Sequence, residues 1–244
     1  PSLAEQLGYL ERYLRAAQGT GVGVVACFPS FFDSALRTAR IESPGQQFGT
    51  QRPQIEQWMD TLLANQERLM RVVCDRFADD LALVVVHDRV ADDISLRLDP
   101  GTLLETFVPR MKRLIAPAQE HGKLLLLYSP GNVEWVLPAL YDIGFVGVHP
   151  ADPELNDLVA IKREWAGRLA LVGGISTALL ARGSKEEIED VVRLACRTLA
   201  PGGGYVLGSS RGIPPEVPPE NLVTMVRAVH HHSYYERSQT PSGL

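Results

Sequence analysis

The sequence predicts an α/β protein on a parallel sheet, most simply a (β/α)8 TIM barrel that lacks one or two N-terminal strands. Three observations lead there. Six short apolar runs, VGVVACF, LALVVV, LLLLY, FVGVH, LALV and YVLG, read as strands with neither face polar. Each is followed by a stretch of helical periodicity, the alternation that gives parallel strands joined by right-handed crossovers. The chain has 244 residues, 45% of them hydrophobic, which suits one domain of this kind. A complete barrel has eight strands in typically about 250 residues, so six strands leave the wall short.

Taken in order, Ser2 to Gln18 read as a helix with Leu3, Leu7, Leu10 and Leu14 on one face. VGVVACF is the first strand, with Pro29 and Ser30 at its C-terminal end. A helix over Phe31 to Ile41 follows, and Glu42 to Pro53, rich in Gly, Gln and Pro, reads as a loop. Gln54 to Phe77 is a long helix that turns Leu62, Leu63, Leu69, Val73 and Cys74 inward. LALVVV opens into HDRVADDISLRLDP. The helix from Gly101 to Glu120 contains Pro109, so a kink or a late start is expected. LLLLY leads through SPGN to a helix over Val133 to Ile143, and FVGVH leads through PADPE to a helix ending near Trp165.

The last third is the most explicit. LALV stops at Gly173 and Gly174, and Ser184 with Glu187 makes a capping box. Ile188, Val191, Ala195 and Leu199 share one face of the helix it opens. Pro201 and Gly202 to Gly204 end that helix. YVLG follows, and Pro218 and Pro219 open the final helix with Pro219 at its first position. Residues 1–232 are expected to form one domain and 233–244 a loosely ordered tail.

Composition removes several function classes. A net charge of −5 gives no general attraction to nucleic acid or to an anionic membrane. No run of about 18 apolar residues is present to span a bilayer, and PSLAEQLGYLERYL has no signal-peptide core. Cys27, Cys74 and Cys196 are odd in number and far apart, which predicts buried, reduced thiols in a cytoplasmic protein. Trp135 and Trp165 read as packing residues. PGGGY precedes a strand and reads as a turn, and His230 to His232, ending an exposed helix, imply adventitious metal binding at most.

The order GGI, RGSKEEIEDVV, LAPGGGYVLG, GIPPEVPPENL resembles the C-terminal signature of the uroporphyrinogen decarboxylase superfamily, which includes corrinoid-dependent methyltransferases. The resemblance is weak before about Asp79 and strong after Lys123. It implies a barrel of uroporphyrinogen decarboxylase (URO-D) type, a homodimer, and a preceding portion carrying substrate-binding arginines and a central Asp.

Parallel barrels carry their chemistry at the C-terminal ends of the strands. Those ends offer Pro29 and Ser30, His87, Asp88 and Arg89, Tyr128, Ser129 and Asn132, His149, and Ser209, Ser210 and Arg211. An imidazole, a carboxylate and a guanidinium in sequence, His87-Asp88-Arg89, can hold an acid or move a proton near neutral pH. The bland reading is that Asp88 pairs with Arg89 or Arg97 to order the loop. Asp88 matches the first acid of a DD pair in the superfamily, and Arg89 replaces the second. Asp92 and Asp93 read as solvated charge. The zinc-dependent methyltransferases carry His-x-Cys where Tyr128 and Pro130 stand, and a second Cys near Ser209 or Ser210. This chain therefore offers no N/S ligand set there. Arg211 stands where the decarboxylases have a His before the GI turn.

The expectation is a metal-independent, cofactor-free decarboxylase acting on a carboxylated tetrapyrrole or a related organic acid. Asp88, His87 and Tyr128 are its candidate catalytic residues, with Arg89, Asn132, His149, Ser209, Ser210 and Arg211 binding substrate. The alternatives are a methyltransferase working with a corrinoid protein but without that zinc site, and an inactive ligand-binding barrel.

Overall fold

In the computed structural model, which describes residues 3–41, 44–91 and 97–233, six strands form one parallel sheet in sequential order. They are β1 (Val24–Pro29), β2 (Leu81–His87), β3 (Leu125–Tyr128), β4 (Gly147–Ala151), β5 (Ala170–Ile175) and β6 (Tyr205–Ser209). The helices are α1 (Leu3–Ala17), α2 (Phe32–Thr38), α3 (Pro44–Phe77), α4 (Pro100–Glu120), α5 (Leu137–Ile143), α6 (Leu158–Glu164), α7 (Thr177–Arg182), α8 (Lys185–Thr198) and α9 (Pro219–His232). This is the wall of a (β/α) barrel. Among the described residues no strand pairs with the outer edge of β1 or of β6.

Strand alternation sorts the residues onto two faces. On β1 and β2, Ala26, Phe28, Val84 and Val86 are buried, whereas Val25, Cys27, Pro29 and His87 are exposed on the other, open face. The ladder then aligns Pro29 with His87, His87 with Tyr128, and Tyr128 with His149. Four strand ends thus present one row.

Most of the stabilisation comes from apolar burial beneath the helices. Met59, Leu63 and Met70 of α3 and Phe107, Met111 and Leu114 of α4 are fully buried. Ion pairs fringe the same two helices, Arg110 to Asp60 at 2.7 Å and Arg71 to Glu120 at 2.7 Å. The Arg71–Glu120 pair, half exposed on both sides, contributes at most about 1 kcal/mol, while the Arg110 side chain is largely buried. Phe31 and Phe32 each pack on the Phe107 ring at 5.6 Å, which pins the start of α2. No described helix is long and apolar enough to cross a membrane.

Several expectations are corrected. The stretch read as a loop before Gln54 is helix from Pro44, with Pro53 inside it. Phe48 is buried together with Ile55 and Met59, so apolar spacing overrides the Gly and Pro content. Pro109 and Pro117 both lie within α4, which Asp99 caps by accepting from Thr102 N at 3.0 Å. β5 does not stop at its glycines. It runs through Gly173 (φ +128°), where a Cβ would stand 2.9 Å from Ala151 N, so β4 and β5 approach closely only because the side chain is missing. The helix expected from Val133 is a 3-10 turn followed by α5. Cys27 is exposed, unlike Cys74 and Cys196. Trp165 is buried, but Trp135 is 77% exposed. The capping box at Ser184 and Glu187 forms, and Pro219 opens α9 as expected.

Candidate active site at the strand ends

The open-face row is the most chemically equipped part of the sheet. His87 meets Tyr128 edge-on at 4.3 Å between ring centres, and Tyr128 meets His149 at 5.0 Å. Parallel register places the three rings side by side, one from each of three neighbouring strands. Burial lowers the pKa of His87; the nearby Asp33 carboxylate opposes this and Arg37 adds to it. The His149 Nδ1 lies 3.0 Å from the Val172 carbonyl, which can only accept. That contact puts the ring proton on Nδ1 and makes Nε2 the acceptor of the neutral imidazole.

Asp88 turns the other way. It is 2% exposed and faces the start of α2. Its Oδ2 accepts from Phe32 N at 3.0 Å, and its Oδ1 accepts from Asp33 N at 2.8 Å and Arg89 N at 2.9 Å. A carboxylate just past the end of β2 therefore does the work of an N-cap for a helix elsewhere in the chain. Burial pushes its pKa up to about 6 in spite of those donors. The buried Ser30 hydroxyl also favours the ionised form, although it completes no hydrogen bond.

The arginines are likewise engaged. Arg97 pairs with Asp33 at 2.5 Å, not with Asp88, and Arg37 reaches the second Asp33 oxygen at 3.1 Å. Arg211 sets its Nε 3.3 Å from Oδ2 of Asp152, whose side chain is only 3% exposed. This pair joins the ends of β4 and β6, with the Arg211 side chain 46% exposed. Arg89 is exposed, two residues past the end of β2.

The remaining expected site residues are held by loop hydrogen bonds. Asn132 donates to Leu155 O at 2.7 Å and accepts from Glu134 N at 3.2 Å. Ser209 donates to Arg211 O at 2.6 Å, and Ser210 Oγ accepts from Thr177 N at 3.2 Å. Buried Ser129 accepts from Val90 N at 3.1 Å. The structure thus gathers His87, Tyr128 and His149, turns Asp88 behind the sheet, and sets Arg211 at the rim. Asp92 and Asp93 lie outside the described residues. The sequence reading passed over Asp33 and Asp152. Their signal was position alone, Asp152 directly after β4 and Asp33 in the first turn of α2, the helix that follows β1.

A family model described as uroporphyrinogen decarboxylase (URO-D) matches residues 52–232, which include β2 through α9 and the whole ring row. The chain belongs to the uroporphyrinogen decarboxylase family.

The uroporphyrinogen decarboxylase of Alkalilimnicola ehrlichii is 35% identical over 122 residues, 49% of this chain and 32% of that protein. The uroporphyrinogen decarboxylase of Legionella pneumophila (strain Lens) is 34% identical over 77 residues, 32% of this chain and 22% of that protein. The chain thus spans less than a third of either relative. A methyltransferase from Methanosarcina mazei superposes with a TM-score of 0.69 at 20% identity, covering 89% of this chain and 61% of the other. That likeness shows the shared fold. The resemblance to zinc-dependent methyltransferases puts the expected zinc ligands at Tyr128, Pro130 and Ser209 or Ser210, which carry a phenol, a pyrrolidine ring and a hydroxyl. These donors do not fit zinc.

Proposed function

We propose that this chain forms the C-terminal strand-end part of a URO-D-type site that decarboxylates a carboxylated tetrapyrrole or related organic acid, without metal or cofactor. The observation that carries the reading is the His87–Tyr128–His149 row on three adjacent strand ends, within the family-matched region. Decarboxylation breaks the bond from carbon to the carboxylate, releases CO2 and leaves an electron pair that a proton must meet. A row of two imidazoles and a phenol supplies proton donors and acceptors near neutral pH. His149, with its tautomer set by Val172, is the best-oriented acid or base of the three.

Arg211 binds substrate carboxylate at the rim, with Asp152 orienting it through Nε. Asp88 supports the site indirectly by holding the start of α2, and so Asp33, in place.

The second reading is methyl transfer with a corrinoid protein, because the Methanosarcina mazei neighbour is named a methyltransferase. Against it stand Tyr128, Pro130, Ser209 and Ser210 where thiolate zinc chemistry needs ligands.

The test is to titrate polycarboxylated tetrapyrroles and small organic acids against the parent, Arg211→Ala and His149→Gln, and to follow CO2 release. Arg211→Ala is expected to weaken binding by about tenfold, the value of one charge-assisted contact. His149→Gln should lower turnover by about 100-fold or more with binding retained. Equal affinity in the parent and Arg211→Ala removes Arg211 from the site. Binding without CO2 release points to an inactive barrel.

A further inference from the structure

Away from the strand ends, the last two helices bring three metal-ligating side chains together. Glu189 lies in the second turn of α8, and His231 and His232 close α9. Glu189 Oε1 stands 3.3 Å from His232 Nε2 and 3.8 Å from His231 Nδ1. All three ligand atoms lie within 4.8 Å of one another, and no other trio of His, Cys, Asp or Glu among the described residues does so.

We propose that Glu189, His231 and His232 form a binding site for a late first-row divalent metal ion, zinc in the first instance, that fastens the end of α9 to α8. Two neutral imidazoles and a carboxylate are a donor set that zinc accepts. Bonds of about 2.0–2.1 Å in a tetrahedron place neighbouring ligand atoms about 3.3–3.4 Å apart. The separations of 3.3 Å and 3.8 Å are already close to that edge, so closing round an ion takes side-chain movement on the order of 1 Å.

Helix geometry alone does not bring these side chains together. Consecutive residues on a helix diverge by about 100°, so His231 and His232 reach one carboxylate only because Glu189 of the neighbouring helix stands between them. The C-terminal end of the α9 dipole adds negative potential, which favours a cation. The His232 side chain is 18% exposed, Glu189 46% and His231 75%, which leaves an open side where water completes the shell.

The competing account is a pair of protonated imidazoles beside one carboxylate. Exposed pairs of that kind contribute under about 1 kcal/mol. That account also brings both rings to Glu189, through the 3.3 Å contact from His232 Nε2, and differs in predicting no saturable metal binding.

The experiment uses the chain freed of metal with a chelator, then titrated with zinc by calorimetry and with cobalt(II) by visible absorption. Parent, Glu189→Gln, His232→Ala and His230→Ala are compared, each checked for folding by circular dichroism. The parent should bind one equivalent, with tetrahedral cobalt bands and a raised unfolding midpoint. Glu189→Gln and His232→Ala should each weaken binding by at least about tenfold and abolish the midpoint shift. His230→Ala, which keeps the trio, should leave affinity within about twofold of the parent. Equal losses in all three variants would mean adventitious capture by a histidine run. Parent-like affinity in Glu189→Gln, or no saturable binding by the parent, overturns the site.

Discussion

Replacing Asp88 by Asn tests the buried cap quantitatively. In the parent, one carboxylate oxygen accepts from Asp33 N and Arg89 N and the other from Phe32 N, all within 3.0 Å. An Asn oxygen can keep the first two, but its amide then confronts the Phe32 N–H. One buried donor left unsatisfied costs about 1–3 kcal/mol, and a chain of this size loses roughly 2–4 °C of Tm per kcal/mol. The pH dependence is the sharper readout. Burial pushes the Asp88 pKa up to about 6, above the ordinary 3.8, so the folded state holds this proton more tightly than the unfolded chain. The stability that protonation adds is present in full below about 3.8 and is lost as pH rises through about 6. Between pH 7.5 and pH 5 the parent therefore gains about 1–1.5 kcal/mol through this group, and Asp88→Asn gains nothing. Urea unfolding of both proteins at the two pH values measures the difference, in which all other titrating groups cancel. The deficit of the variant should widen on acidification. If it narrows, the three N–H donors outweigh burial and the argument fails.

Two further substitutions test the frame around the site. Gly173→Ala places a Cβ 2.9 Å from Ala151 N at φ +128°. It should destabilise the protein by about 2–4 kcal/mol in thermal or urea unfolding, and a loss under about 0.5 kcal/mol would mean that β4 and β5 separate easily. Ser184→Ala removes the acceptor for Glu187 N and half of the capping box. A loss of about 1 kcal/mol is expected, and no loss in Tm would mean that α8 is held by packing alone.

The sequence by itself determined the element order, the parallel sheet and most of the last third. Those features rest on local rules. Apolar runs make strands, Ser184 and Glu187 cap a helix whatever surrounds them, and Pro219 can open α9 because its missing N–H has no partner to lose. It also placed His87, Tyr128 and His149 at strand ends. What each side chain does there was decided only in three dimensions. His87 and Asp88 are neighbours in sequence, but strand alternation sends one to the open face and the other behind the sheet to cap α2. Arg97 pairs with Asp33, Arg211 with Asp152, and Glu189 with the end of α9, across 64, 59 and 43 residues of chain. A charge or an imidazole carries no local signal of its partner, because that choice is made by helices and strands packing long after the residues that make it have been passed in the chain.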